Sequence, residues 1–151
     1  MKTIKGDLVE LAKNGEFDVI VHGCNCFCNM GAGIAKTIKQ NFPEAYKADL
    51  ETRKGIKSKL GSCSFAYIKS LNMAIANAYT QFKYGRDKMH VDYRAVRSCM
   101  AQIAKEFPDE RIGLPKIGAG LAGGDWDKIK NIIEEELKDM DVTIVEFVFR
   151  K

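Results

Sequence analysis

The sequence predicts an α/β protein with a mostly parallel or mixed sheet and helices on both faces. Three observations predict it. Apolar runs of strand length alternate with segments whose apolar residues recur at steps of three and four. Val19, Ile20 and Val21 form a continuous β-branched run, as in a strand covered on both faces. Two glycine-rich stretches, at residues 31–33 and 116–124, each follow a strand pattern and precede a helical one. In open α/β sheets ligands gather off the carboxyl ends of the strands, so both stretches are expected on one edge of the sheet.

The elements follow in order. Thr3 and Ile4 open a short strand that ends at Gly6-Asp7, and Leu8, Leu11 and Ala12 have helical spacing with Asp7 as N-cap. Residues 17–21 form the second strand. After the loop, Ile34, Ala35, Ile38 and Phe42 mark one face of a helix, and Pro43 begins another over residues 43–53, closed by Gly55. Cys63–Ile68 and Met73–Tyr79 read as a strand pair turned at residues 70–72. Residues 81–90 are polar, carry Gly85 and read as a loop. Tyr93, Val96, Met100, Ile103 and Phe107 predict a helix. Ile112 to Leu114 is a short strand running into Pro115. Trp126, Ile129, Ile132, Ile133 and Leu137 predict the last helix, with Asp125 placed to cap it, and residues 142–149 the last strand.

A chain of 151 residues is most simply one domain, here 1–151, with room for a real core. No stretch resembles a signal peptide, and no apolar run approaches a membrane span. The 24 basic and 20 acidic residues leave a charge of +4. Scattered as they are, they suit an anionic small molecule and point to no specific nucleic acid and no membrane partner. Five cysteines, an odd number, without a secretory signal indicate reduced thiols and a cytoplasmic location. Cys24, Cys26 and Cys28 are spaced too closely for structural zinc and lack a second ligand pair, so neither a metal nor a cofactor is expected.

A glycine-rich loop feeding a helix N-terminus suits an anion, because the backbone approaches closely and free N–H groups point outward. A tight turn without ligand is the plain alternative. Residues 118–123 match the dinucleotide string G-x-G-x-x-G but stand too late in the chain, with one helix and one strand left. Residues 30–37 are not a P-loop, since Ala35 precedes Lys36-Thr37 where glycine is required. No cysteine has an arginine six residues on, as a cysteine phosphatase requires, so catalysis would use an activated water. Two such loops on one cleft suit a diphosphate.

Gly6-Asp7, the run from His22-Gly23-Cys24-Asn25 to Gly31-Ala32-Gly33-Ile34-Ala35, Tyr79-Thr80-Gln81, and Leu114 through Leu121 together resemble the macrodomain family over nearly the whole chain. The resemblance implies a three-layer α/β/α macrodomain-like fold with a mixed central sheet, and a cleft for ADP-ribose. The motif forms look most like the ADP-ribose-1″-phosphate phosphatase branch, which implies a metal-independent phosphoric monoester hydrolase working as a monomer. By resemblance, Asp7 accepts a hydrogen bond from the adenine amino group, with Leu8 beside it. Gly31, Ala32, Gly33 and Ile34, with Ile117, Gly118, Ala119, Gly120 and Leu121, wrap the diphosphate. Asn25 holds distal-ribose hydroxyls, Tyr79 and Gln81 reach the ligand from a strand end, and Phe149 or Phe147 lies beside adenine, the other being core.

His22, Asn25 and Asp125 are the catalytic candidates. His22 either orients water or protonates the leaving oxygen, or is a core-edge histidine with satisfied nitrogens. Asp125 is a cap or a general base. His90 reads as a surface residue. A related branch removes ADP-ribose from acidic side chains, with a lysine matching Gln81 and an aspartate matching Ala122; this chain has neither, which disfavours a lysine adduct. An ADP-ribosyl hydrolase and a non-catalytic reader module remain as alternatives. Read as complete in itself, the chain favours an enzyme over a reader.

Overall fold

In the computed structural model, which describes residues 1–85, 89–120 and 122–148, the elements run β1 (Lys2–Gly6), α1 (Leu8–Lys13), β2 (Val19–Cys24), α2 (Gly33–Asn41), α3 (Pro43–Leu50), β3 (Cys63–Ile68), β4 (Met73–Tyr79), α4 (Tyr93–Glu106), β5 (Arg111–Leu114), α5 (Trp126–Glu136) and β6 (Asp141–Phe147). They build a six-stranded sheet in the order β1-β6-β5-β2-β4-β3. β3 runs antiparallel to β4; every other neighbour is parallel. The tight reversal between β3 and β4, a 3₁₀ turn ended by Asn72 in the left-handed region at φ 49°, explains the one antiparallel pair.

Alternation along the strands feeds two cores. Val19 and Val21 of β2 face the layer of α4 and α5, while Ile20 faces α1, α2 and α3. Ile144 and Val145 of β6 divide in the same way. The helical stripes supply the other half of each core: Val96, Met100 and Ile103 with Ile129 and Ile133 on one face, Ile38 and Ala45 on the other. This is the three-layer α/β/α arrangement. Among the described residues no helix is long and apolar enough to cross a membrane.

The boundaries differ from expectation in three places. β2 begins at Val19 and continues to Cys24, because parallel pairing with β4 carries it through His22↔Asn77 and Cys24↔Tyr79. α3 ends at Leu50, not near residue 53; Gly55, at φ 76°, belongs to a later turn whose N–H donates to the Cys26 carbonyl at 2.7 Å. β6 runs from Asp141 to Phe147, and Phe149 lies outside the described residues. Because β1, β2, β4, β5 and β6 are mutually parallel, the loops leaving their carboxyl ends share one rim.

Candidate functional site

That rim carries two cavities, of about 620 Å³ and about 400 Å³. Gly33 and Ile34 from the start of α2, and Pro115, Lys116 and Gly120 from the loop after β5, line both, so the two glycine turns form the junction between them. Gly33 sits at φ 58°, in the left-handed region, and no side chain caps the α2 N-terminus. Gly118 is at φ 74°, and a Cβ there would stand 2.6 Å from Val91 Cγ2. At Gly120 a Cβ would meet nothing within 4 Å, since the position opens onto both cavities.

The larger cavity is walled by the β1–α1 junction and the end of β6. Asp7 and Leu8 line it, with Ala119, Glu146 and the exposed ring of Phe147. Asp7 caps α1: its Oδ1 accepts from the N–H groups of Val9 at 3.0 Å and Glu10 at 3.2 Å. The smaller cavity lies beyond the junction. Asn25, Ala32, Gln81, Ile117 and Gly118 line it. Asn25 already serves its own loop, donating from Nδ2 to the Asn29 carbonyl at 2.8 Å and accepting at Oδ1 from Phe27 N–H at 2.9 Å. Gln81 donates from Nε2 to the Lys83 carbonyl at 2.8 Å.

Four expected positions line neither cavity, and each has a physical reason. His22 is fully buried. Its Nε2 lies 2.6 Å from Asn77 Oδ1. Asn77 spends its amide hydrogens on the Ala45 carbonyl and Ser64 Oγ, so its Oδ1 must accept and His22 carries the proton on Nε2. Burial pushes the imidazole down from 6.5 to about 4, against the Asn77 bond, and leaves it neutral. Tyr79 is also buried, donating to Asp49 Oδ1 at 2.7 Å, with its hydroxyl 2.8 Å from Ser64 Oγ. Burial raises its phenol far above the usual range. Gly31 turns its N–H back to Asn29 Oδ1 at 3.1 Å. Asp125 is the exposed N-cap of α5, accepting from Asp127 N–H at 3.0 Å. Of the alternatives open for His22 and Asp125, these placements are those of a satisfied core histidine and a helix cap. Leu121 and Phe149 lie outside the described residues.

The three closely spaced thiols go separate ways. Cys24 Sγ lies beside His22, Cys26 Sγ donates to the Gln81 carbonyl, and Cys28 Sγ donates to the Asp49 carbonyl. Burial pushes the Cys26 thiol up to about 11 and raises Cys24 as well. Among the described residues no group of three or more His, Cys, Asp or Glu side chains is placed to hold a metal ion.

Sequence reasoning passed over Lys116, Glu146, Asn29 and Tyr84, all of which line a cavity. Lys116 alone carried a signal, as the first residue of the glycine-rich stretch 116–124. Glu146 is, with Thr143, one of two polar residues in the otherwise apolar run 142–149, and only the β1–β6 pairing brings it to the rim.

Known proteins resemble the chain over nearly its whole length. An uncharacterized 17.5 kDa protein of Enterobacteria phage T4 is 37% identical over 155 residues, covering 97% of this chain and 96% of that one. The ADP-ribose 1″-phosphate phosphatase of Meyerozyma guilliermondii is 28% identical over 170 residues, covering 94% and 97%. A solved Bacteroides thetaiotaomicron protein of unknown function superposes with a TM-score of 0.79 at 27% identity, covering 96% of each chain. Residues 21–133 match the Macro domain family model, and the chain belongs to the Macro domain family.

Proposed function

We propose that the chain binds ADP-ribose derivatives across the two joined cavities and hydrolyses the phosphate monoester of ADP-ribose 1″-phosphate. The observation that carries this reading is the junction: Gly33 and Gly120, from loops that follow neighbouring strands, face the same two cavities. A nucleoside diphosphate joined to a second sugar fits such a pair of cavities, with the base in one, the distal sugar in the other and the diphosphate where they share their lining. The Meyerozyma guilliermondii relative carries the phosphatase name over nearly its whole length.

On this reading Asp7 accepts from the adenine amino group in the larger cavity, with Leu8 and Phe147 along the base. Backbone N–H groups at Gly33, Ile34 and Gly120 hold the diphosphate, as a helix N-terminus and a glycine turn do for anions, while the Ala119 N–H closes the turn on the Lys116 carbonyl. The distal ribose and its phosphate occupy the smaller cavity among Asn25, Asn29 and Gln81. There the oxygen of a water attacks phosphorus and gives up one proton to solvent, the bond from phosphorus to the sugar oxygen breaks, and that oxygen takes a proton from solvent and leaves as the ADP-ribose hydroxyl, with inorganic phosphate as the other product. The side-chain amides orient the water and the backbone donors stabilise the phosphoryl charge. His22 is a positioning residue on this account, fixing the end of β2 from which Asn25 departs. Metal independence is part of the proposal.

The test is phosphate release from ADP-ribose 1″-phosphate, with and without a chelator. Release that survives chelation and falls at least tenfold in Asn25→Ala, but less than about twofold in Asp125→Ala, is expected. ADP-ribose binding without release would make the chain a reader. Release of ADP-ribose from a modified protein in place of phosphate would make it an ADP-ribosyl hydrolase.

A further inference from the structure

Lys116 is the only cation among the described residues lining the two cavities, and it lines both. Among the described residues the smaller cavity is lined by no other charged side chain, and the larger by two carboxylates, Asp7 and Glu146. A site with that balance repels a dianion unless the lysine offsets it. Lys116 Nζ donates to Glu146 Oε1 at 3.3 Å and lies 5.9 Å from the centre of the Trp126 ring. Trp126 is the first residue of α5, so its ring face is within reach of the ammonium at the outer limit of a cation–π contact. The tether is weak: the lysine and glutamate side chains are 38% and 42% exposed, and a pair that wet holds little free energy.

We propose that Lys116 determines the site's selectivity for diphosphate ligands, exchanging Glu146 for the diphosphate oxygens at the junction of the cavities. The inference rests on the nucleotide reading of the cleft. Its chemistry is a contest between two anions for one ammonium. Glu146 is a single carboxylate with partial solvent access. A diphosphate seated on the glycine turns carries two negative charges and several acceptor oxygens, so the charge-assisted bond to it is the stronger. Glu146 therefore sets the threshold a ligand must exceed, and ligands without a diphosphate do not exceed it.

Calorimetric titration of ADP-ribose into Lys116→Met, Lys116→Arg, Glu146→Gln and the Lys116→Met/Glu146→Gln double variant tests this. Lys116→Met is expected to weaken binding roughly tenfold, with Lys116→Arg restoring most of it. Glu146→Gln is expected to tighten binding about two- to fourfold by freeing the lysine. The double variant is expected to match Lys116→Met, since without the ammonium there is nothing to free. Affinity is also expected to fall more steeply with salt in the wild type than in Lys116→Met. Wild-type affinity in Lys116→Met, or a Glu146→Gln gain that persists in the double variant, overturns the role of Lys116 while leaving the nucleotide reading intact. A wild-type protein that binds neither ADP-ribose nor inorganic pyrophosphate overturns both.

Discussion

His22 shows how depth changes the work a residue can do. At the end of an apolar strand, beside a loop of small residues, a histidine suits proton transfer. In the fold it lies under the rim as the first member of a buried chain that runs through Asn77, Ser64 and Tyr79 to Asp49. Lys59 Nζ stands 3.8 Å from the same carboxylate, so the chain ends on a buried ion pair. A group of this kind reports itself in stability. Its folded pKa of about 4 lies below the unfolded value near 6.5, so between those limits the unfolded chain binds the extra proton. The contribution of neutral His22 is therefore complete above about pH 6.5 and is lost as pH falls toward 4. It amounts to roughly 3 kcal/mol at this burial. Urea unfolding of the wild type and His22→Gln from pH 7 to 4 is expected to give curves that converge by about that amount on the acid side. Curves that stay parallel would mean that the imidazole is solvated. The pH profile of any phosphate release is expected to keep its shape near neutrality in His22→Gln, since the buried imidazole stays neutral there; an acid limb that disappears with the substitution would make His22 a proton donor or acceptor.

At the scale of elements, three helices begin on capping aspartates, α1, α4 and α5, and those of α1 and α5 have opposite character. Asp125 caps α5 outside both cavities, and Asp7 caps α1 while lining the larger one. The cap bonds of Asp7 both fall on Oδ1. Serine is an N-cap of similar quality, so Asp7→Ser is expected to cost less than about 0.5 kcal/mol in unfolding experiments while weakening ADP-ribose binding roughly tenfold. Asp125→Ala is expected to do the reverse: about 1 kcal/mol of stability lost and binding unchanged. The pair separates cap from contact, because an Asp7→Ser protein that binds normally would leave Asp7 a cap alone. Both caps were legible in the sequence, since an aspartate before a helical stripe has a local cause. The helices were legible for the same reason. The end of β2 was not: Gly23 and Cys24 look like the start of a loop until β4 stands opposite them. Nor was the burial of Tyr79, whose hydroxyl depends on Asp49 thirty positions away.

The whole molecule joins what the sequence keeps apart. Alternating strands and helices announced the layers and put both glycine turns on one rim. They did not announce that β1 and β6, from opposite ends of the chain, would pair and bring Asp7 beside Glu146 and Phe147. Strand order is a long-range property with no local signature, so the larger cavity was only half visible. The central placement of β2 next to β5 has a consequence for stability. A ligand seated between their loops ties α2 to the stretch before α5, and so holds both layers together. At a hundredfold excess over its Kd, ADP-ribose is expected to add about 2.7 kcal/mol to the folding free energy, a rise of about 5–10 °C in Tm for a chain of this size. Two glycines separate ligand from scaffold. Gly118→Ala forces a side chain at φ 74° against Val91, and is expected to lower Tm without ligand by the equivalent of about 2–4 kcal/mol. Gly120→Val projects into open space, so the unliganded Tm is expected to hold while the rise with ADP-ribose disappears. A Gly120→Val protein that keeps the full rise would place the ligand off this junction, because position 120 lines both cavities and an isopropyl group there enters the space they share.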